Sequence, residues 1–133
     1  MREIKFRAWD KTEKEMARSV NEMRFNSKGL YGLKVNHLGF EFKRRRKDVV
    51  LMQYTGLKDK NGVEIYEGDV VMAEHPHLYA SYLGLVSITP GDGLYIEYTD
   101  GHVDFGLDEI QYKKYIGVIG NIYENPDILE GLR

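Results

Sequence analysis

The sequence predicts a mainly β fold, with α+β as the limit, in which an N-terminal antiparallel subdomain (residues 1–56) packs with a small barrel (residues 57–133). Apolar and polar residues alternate in several short segments, which is typical of half-buried strands. Turn dipeptides such as Asn61-Gly62 and Asp100-Gly101 separate these segments at close spacing. The 133 residues, 42% hydrophobic and 30% charged, have the size and composition of an ordinary globular domain.

The N-terminal half begins with a strand over residues 2–9, where every second side chain is apolar. A polar turn follows at residues 10–14. Residues 16–25 fit either a second strand or a short helix, and the sequence leaves that choice open. Extended structure is expected on both sides of residues 43–47, and residues 49–54 form a compact apolar strand.

The C-terminal half shows clearer strand signals. Asn61-Gly62 is the dipeptide favoured in tight hairpins, and it precedes a return strand at residues 63–66. Five further strands are predicted at residues 70–72, 83–89, 94–99, 102–105 and 115–123. Their order and spacing resemble an SH3-like barrel, in which closure protects strand edges. Asn125 and Pro126 favour a terminal helical turn over residues 128–132.

Charge is divided unevenly along the chain. Residues 1–50 contain 14 Lys and Arg against 7 Asp and Glu, whereas residues 51–133 contain 5 against 14, so net charges of +7 and −9 add to −2. The basic half contains five consecutive cations, which repel each other unless an anionic surface lies nearby: Lys43, Arg44, Arg45, Arg46 and Lys47. A solvated loop, a nucleic-acid contact and self-association all remain open for this run.

No pattern in the sequence indicates catalysis or a cofactor. The chain has no cysteine, which excludes disulfides, thiolate metal sites and cysteine nucleophiles. No serine lies in a nucleophile elbow, and no glycine-rich segment opens a predicted helix. The candidate metal ligands Glu74, His75, His77, His102 and Asp104 match no known spacing, and Pro76 interrupts their strand. We therefore predict a protein that is not an enzyme, with no metal and no cofactor.

Tyrosine is abundant, with 10 among 133 residues, and several tyrosines lie on or beside the predicted barrel. Tyrosine can fill a core, anchor a protein interface or stack on nucleic-acid bases. The acidic surroundings in this half would repel phosphate, so beside core packing we favour a protein or self interface that includes Tyr79, Tyr82, Tyr95 and Tyr98. No apolar run approaches membrane-spanning length and the first ten residues lack a signal core, so a cytoplasmic protein is expected.

Three blocks of sequence carry a family resemblance. They are IKFRAWD at residues 4–10, MQYTGLKDKNG with EIYEGD at residues 52–69, and VIGNIYENP at residues 118–126. In this order they resemble the YopX family of phage and prophage proteins, and the sequence leaves open whether the chain is the founding member. The resemblance implies a β-rich fold with an SH3-like part and a phage or prophage origin, but no established activity and no catalytic residues. Residues 18–47 share least with the blocks, so the basic run is not implied as a family property.

Two functional classes follow. The first is a non-enzymatic binding or self-assembly module, whose partner is a second copy or a phage or host protein, with no membrane contact. The alternative is a nucleic-acid accessory protein that contacts phosphates through Lys43 to Lys47, with an affinity that falls steeply with salt.

Overall fold

The computed structural model describes residues 4–75, 80–89, 91, 93–105 and 108–128, and it confirms a mainly β protein. The chain divides into two compact units. We call Lys5–Gln53 the N-terminal unit, and Tyr54–Arg133 with Met1–Ile4 the C-terminal unit. Within the described part of the chain, no helix is long and apolar enough to cross a membrane.

The N-terminal unit consists of short antiparallel strands. Its elements are β1 (Phe6–Asp10), β2 (Glu15–Met16), β3 (Ser19–Asn26), β4 (Gly29–His37), β5 (Phe40–Arg45), a 3-10 turn (Arg46–Asp48) and the first part of β6 (Val49–Lys58). β1 pairs with β2 on one side and with β6 on the other. β3, β4 and β5 form a separate three-stranded sheet in that order. The segment that fitted either strand or helix is therefore a strand, because its backbone pairs with β4.

The core of the N-terminal unit forms from the alternation that the sequence shows. Ala8, Ala17, Leu33, Val35 and Val49 are buried together, and partly buried apolar side chains pack against them. Leu33 and Val35 are two positions apart on β4, so they lie on one face of the sheet. Burying a Val or Leu side chain contributes about 1.5–3 kcal/mol, and this face therefore fixes the register of β4.

The C-terminal unit contains a curled antiparallel sheet that forms a half-barrel. Its elements are β7 (Glu64–Tyr66), β8 (Asp69–His75), β9 (Ala80–Thr89), β10 (Gly93–Tyr98), β11 (Val103–Asp104), α1 (Glu109–Tyr115) and β12 (Ile116–Asn121). The sheet order is β11-β10-β9-β8-β12. Its concave core contains Leu57, Ile65, Val71, Ala73, Val86, Ile96, Tyr98, Tyr112 and Ile116.

Helix α1 was not expected from the sequence, which predicted no element between the strands at residues 102–105 and 115–123. The Asp108 side chain accepts a hydrogen bond from the backbone N–H of Gln111, and the Gln111 side chain accepts one from the backbone N–H of Asp108. This reciprocal capping box satisfies two donors at the start of a helix. Tyr112 is the buried residue of the helix, so its ring attaches α1 to the core.

The segment after β12 differs slightly from the helical turn that the sequence predicted. A short 3-10 turn covers residues 126–128, and residues 129–132 of the predicted turn lie outside the described residues. Asn125 accepts a hydrogen bond from the backbone N–H of Asn121 through its side-chain oxygen. This contact holds the turn against the end of β12.

A buried carboxylate organises the predicted Asn61-Gly62 hairpin. Asp59 is 2% exposed, and its two oxygens accept hydrogen bonds from the backbone N–H groups of Asn61, Val63 and Val118. Gly62 has φ +80, a conformation that favours glycine. Asp59 therefore closes the loop and at the same time attaches it to β12, 59 residues further along the chain.

Candidate functional site

The basic run is divided between the two faces of β5. Lys43 to Arg45 belong to β5, and Arg46 and Lys47 belong to the 3-10 turn that follows it. Because side chains alternate along a strand, Arg44 points to the opposite face from Lys43 and Arg45. Lys43, Arg45, Arg46 and Lys47 are exposed, whereas the Arg44 side chain is only 13% exposed. Arg44 is therefore separated from the other four cations of the run.

Arg44 takes part in a buried ionic network. Its Nε donates to both carboxylate oxygens of Asp10, at 3.1 and 2.9 Å, and its Nη2 lies 3.3 Å from a Glu13 oxygen. The Asp10 side chain is fully buried. Burial raises the pKa of Asp10, but hydrogen bonds from His37, Arg44 and the backbone N–H of Thr12 outweigh this effect and lower the pKa below its usual value. Asp10 is therefore held as a carboxylate in the interior of the unit.

His37 completes this network from β4. Its Nε2 lies 2.8 Å from an Asp10 oxygen, and its Nδ1 lies 2.9 Å from a Glu15 oxygen. Each ring nitrogen of His37 therefore faces a carboxylate oxygen. The centroid of the Phe42 ring lies 5.8 Å from the centroid of the His37 ring and 5.2 Å from the guanidinium carbon of Arg44. The network joins the turn after β1 to both strands of the β4–β5 hairpin.

Sequence reasoning missed this network, and His37 was not among its candidate site residues. A signal was present, since His37 continues the alternation of Leu33 and Val35 and must share their buried face. Its partner Asp10 lies 27 residues away, and Arg44 lies 34 residues from Asp10, so no local motif connects the three.

The tip of the β4–β5 hairpin exposes apolar side chains. Leu38 and Gly39 form a two-residue turn with φ values of 53 and 87. Leu38 is 72% exposed and Phe40 is 70% exposed, and Phe42 further along β5 is 36% exposed. We call Leu38, Phe40 and Phe42 the hairpin patch. It adjoins exposed cations on the same strand, a combination that suits a partner with both apolar and acidic groups.

The tyrosines predicted to form an interface have different environments. Tyr98 is buried in the core, while Tyr82 and Tyr95 are partly buried, and Tyr79 lies outside the described residues. The Tyr98 ring stacks on His102 with centroids 4.5 Å apart, and Tyr82 meets both rings edge-on. Burial, with the nearby charges of Asp104 and Asp100, raises the pKa of Tyr98 to about 12. The interface prediction itself stays untested.

The candidate metal ligands are only partly placed. His77 and the side chain of His75 lie outside the described residues, and His102 is bonded to Asp100. Among the residues that the structure does describe, no three His, Asp or Glu side chains come together in a metal-binding arrangement.

The two structural units carry opposite charge. The N-terminal unit has 13 Lys and Arg against 6 Asp and Glu, a net charge of +7, and the C-terminal unit has 6 against 15, a net charge of −9. Together with the fold, this defines the class of the protein: a two-unit, mainly β protein with one basic and one acidic unit.

Comparison with known proteins gives the family. The family model described as "YopX protein" matches residues 5–130, and the chain belongs to the YopX family. A crystal structure of protein EF1440 from Enterococcus faecalis is similar, with 31% sequence identity, a TM-score of 0.70, and coverage of 97% of this chain and 99% of that chain. A search of curated proteins finds no match.

A crystal structure of protein yopX from Bacillus subtilis has the same fold. It is 22% identical to this chain, with a TM-score of 0.63, and the similarity covers 97% of this chain and 99% of that chain. At this identity the chain is a relative of that protein and not the same protein.

Proposed function

We propose that this protein is a non-enzymatic binding or self-assembly module that acts through oppositely charged units. The observation that carries the proposal is that the charge division follows the structural division, with +7 on one unit and −9 on the other. Each unit is thus complementary to the other unit of a second copy, or to an oppositely charged phage or host protein. A role as a phage or prophage accessory protein in the host cytoplasm belongs to this proposal and rests on the family resemblance.

The buried polar side chains make structural hydrogen bonds, which supports a binding role for the exposed surface. Asp10, His37, Asp59, Asp69 and Asn121 are buried. The side chains of Asp10, Asp59, Asp69 and Asn121 all accept hydrogen bonds from backbone N–H groups, and His37 bonds to two carboxylates. These contacts stabilise turns and strand ends. The exposed groups of the N-terminal unit include the hairpin patch and its neighbouring cations.

Sedimentation velocity tests self-assembly. We expect association at about 50 mM salt that weakens by 200 mM, because contacts between exposed charges are screened. Lys43→Glu should weaken association more than Lys28→Glu, although both variants change the net charge equally. Lys28 serves as the control because it is exposed in the turn between β3 and β4, away from β5. A chain that stays monomeric at every concentration at low salt contradicts self-assembly.

Nucleic-acid binding is the second candidate, and one observation favours it. Lys43, Arg45, Arg46 and Lys47 are exposed close together on β5 and the following turn. Neutralising these four residues while Arg44 is kept leaves the buried network in place, and urea unfolding of the variant checks that lost binding does not come from unfolding, since Arg46 also donates to the Val49 carbonyl. Fluorescence anisotropy with labelled DNA and RNA should show affinity that falls from about 50 to 200 mM salt and is lost in the variant. Absence of binding at the lowest salt excludes this candidate.

A further inference from the structure

We infer that the outer edge of β5 accepts an extended acidic polypeptide segment as an additional antiparallel strand. This inference rests on the proposed binding function and specifies its partner class and its geometry. The occupant is a segment in which acidic and apolar residues alternate, so that its main chain pairs with β5 and its two faces match the two faces of that strand.

The turn geometry determines which backbone groups of β5 are free. In a two-residue hairpin, His37 and Phe40 form a pair that exchanges both backbone hydrogen bonds. The pairs His37–Phe40, Val35–Phe42 and Leu33–Arg44 are therefore hydrogen-bonded. The backbone groups of the intervening residues point away from β4.

These outward groups belong to Glu41, Lys43 and Arg45. Among the described residues no strand pairs with this side of β5, because β5 ends the sheet order β3-β4-β5. The Lys43 carbonyl accepts one bond, at 3.1 Å from Arg44 Nη1. The edge thus offers a row of main-chain donors and acceptors to an incoming strand.

The edge lacks most of the features that prevent strand addition. Proteins commonly block exposed edges with proline, a bulge, a very short strand or charged side chains. β5 is six residues long, contains no proline and pairs with β4 without a register shift. The charged side chains Glu41, Lys43 and Arg45 remain as a barrier. An acidic residue opposite Lys43 or Arg45 converts that barrier into attraction, whereas the position opposite Glu41 requires an uncharged residue.

The side chains of β5 specify the alternation expected in the partner. Lys43 and Arg45 lie on one face, and Phe40 and Phe42 lie on the other. Residues directly opposite each other in an antiparallel pair project to the same face. An incoming strand therefore places acidic residues opposite Lys43 and Arg45 and apolar residues opposite the two phenylalanines.

Charge favours an acidic segment over a second β5. A symmetric pair of β5 edges would bring together two units that each carry a net charge of +7. An acidic segment is instead attracted to the basic N-terminal unit, and this attraction also accelerates association. Edge-to-edge pairing of two copies is accordingly one of the results that would overturn the inference.

The test uses the full chain and a fluorescent synthetic peptide of about nine residues that alternates glutamate with valine. A threonine replaces the glutamate that would face Glu41. One control peptide is N-methylated at its glutamates, whose N–H groups point toward β5 in the proposed pairing. A second control peptide is N-methylated at its valines, whose N–H groups point away from β5. Binding is measured by anisotropy at about 50 mM salt, where charge contacts are weakly screened.

Two protein variants isolate the main-chain contribution. Lys43→Ala and Lys43→Pro both remove the charge, but only the proline removes the outward N–H. Proline is tolerated on an edge strand where its nitrogen faces solvent, so pairing with β4 is retained. Backbone amide exchange in the free variant checks this, because the Phe42 and Arg44 amides should stay protected.

We expect the parent and valine-methylated peptides to bind and the glutamate-methylated peptide to bind at least tenfold more weakly. Lys43→Pro should bind at least tenfold more weakly than Lys43→Ala, and the amides of Lys43 and Arg45 should gain protection on binding. Equal binding of all three peptides, or equal affinity of the two variants, overturns strand addition and leaves charge-driven binding intact. If the chain self-associates but does not bind the peptide, only the inference is overturned. The same holds if two copies dimerise through β5. No peptide binding by a chain that also stays monomeric overturns the inference and contradicts the proposed self-assembly.

Discussion

Replacing Arg44 with methionine is expected to destabilise the N-terminal unit by about 2–4 kcal/mol, because the Asp10 carboxylate loses its guanidinium partner. The Arg44 side chain is 13% exposed and the Asp10 side chain is fully buried, so water cannot replace the contact. His37 still bonds to Asp10 in this variant. Because this bond remains, the lower limit of the expected loss in unfolding free energy lies below the ~3–5 kcal/mol that follows when a buried ion pair is broken outright.

Arg45→Met is the matched control, since the two arginines are neighbours in the same run. The Arg45 side chain is 73% exposed and pairs with Asp48 at the surface, so its replacement should change stability by no more than about 0.5 kcal/mol. Urea unfolding can be followed by fluorescence of Trp9, the single tryptophan, which lies in β1. Equal unfolding midpoints for the two variants would refute the role assigned to Arg44.

Arg44→Met should also change the pH at which the N-terminal unit loses stability in acid. The folded-state pKa of Asp10 is lowered, so its stabilisation is fully present above the unfolded pKa and is lost as pH falls through the folded pKa. Removing Arg44 takes away one cause of the lowered pKa, and the acid loss should begin at higher pH. A variant with the acid profile of the parent chain would contradict this reasoning.

Three further changes test the C-terminal unit. The pKa of Tyr98 is raised from 10.0 to about 12, so stability should fall as pH rises through this interval, and Tyr98→Phe should remove that loss in alkaline unfolding experiments. Gly84→Ala places a Cβ 2.5 Å from Ile96 Cγ2 and should cost about 1–3 kcal/mol in urea unfolding, whereas Gly91→Ala meets nothing within 4 Å and should be neutral. Asp59→Ala leaves three backbone N–H groups without their acceptor and should lower the thermal midpoint, whereas an unchanged midpoint would contradict its anchoring role.

The strands could be predicted because their signals are local. Alternating side chains and turn glycines lie within a few residues of each other, and they indicated β8, β9, β10, β11 and β12 close to their observed positions. The segment over residues 16–25 could not be decided locally, because its strand form depends on pairing with β4. Helix α1 was missed because it spans only seven residues with a single buried side chain, although Asp108 and Gln111 form a readable capping box.

The candidate site was harder to predict than the fold. In the sequence, Arg44 is indistinguishable from its basic neighbours, and only the register of β5 separates it from them. The exposed edge and the hairpin patch likewise depend on which strands pair, and single-sequence patterns do not determine that. The charge division was visible in the sequence because it requires only counting.

The near-zero net charge of −2 is a poor guide to how the protein behaves as a colloid. It is the small difference between two large and opposite charges on separate units, so each unit stays charged at a pH where the net charge of the protein is near zero. Cation-exchange and anion-exchange resins should both retain the protein at the same pH, each through a different unit. Added electrolyte should then increase its solubility, as it does for polyampholytes, whereas a uniformly neutral surface would show little response.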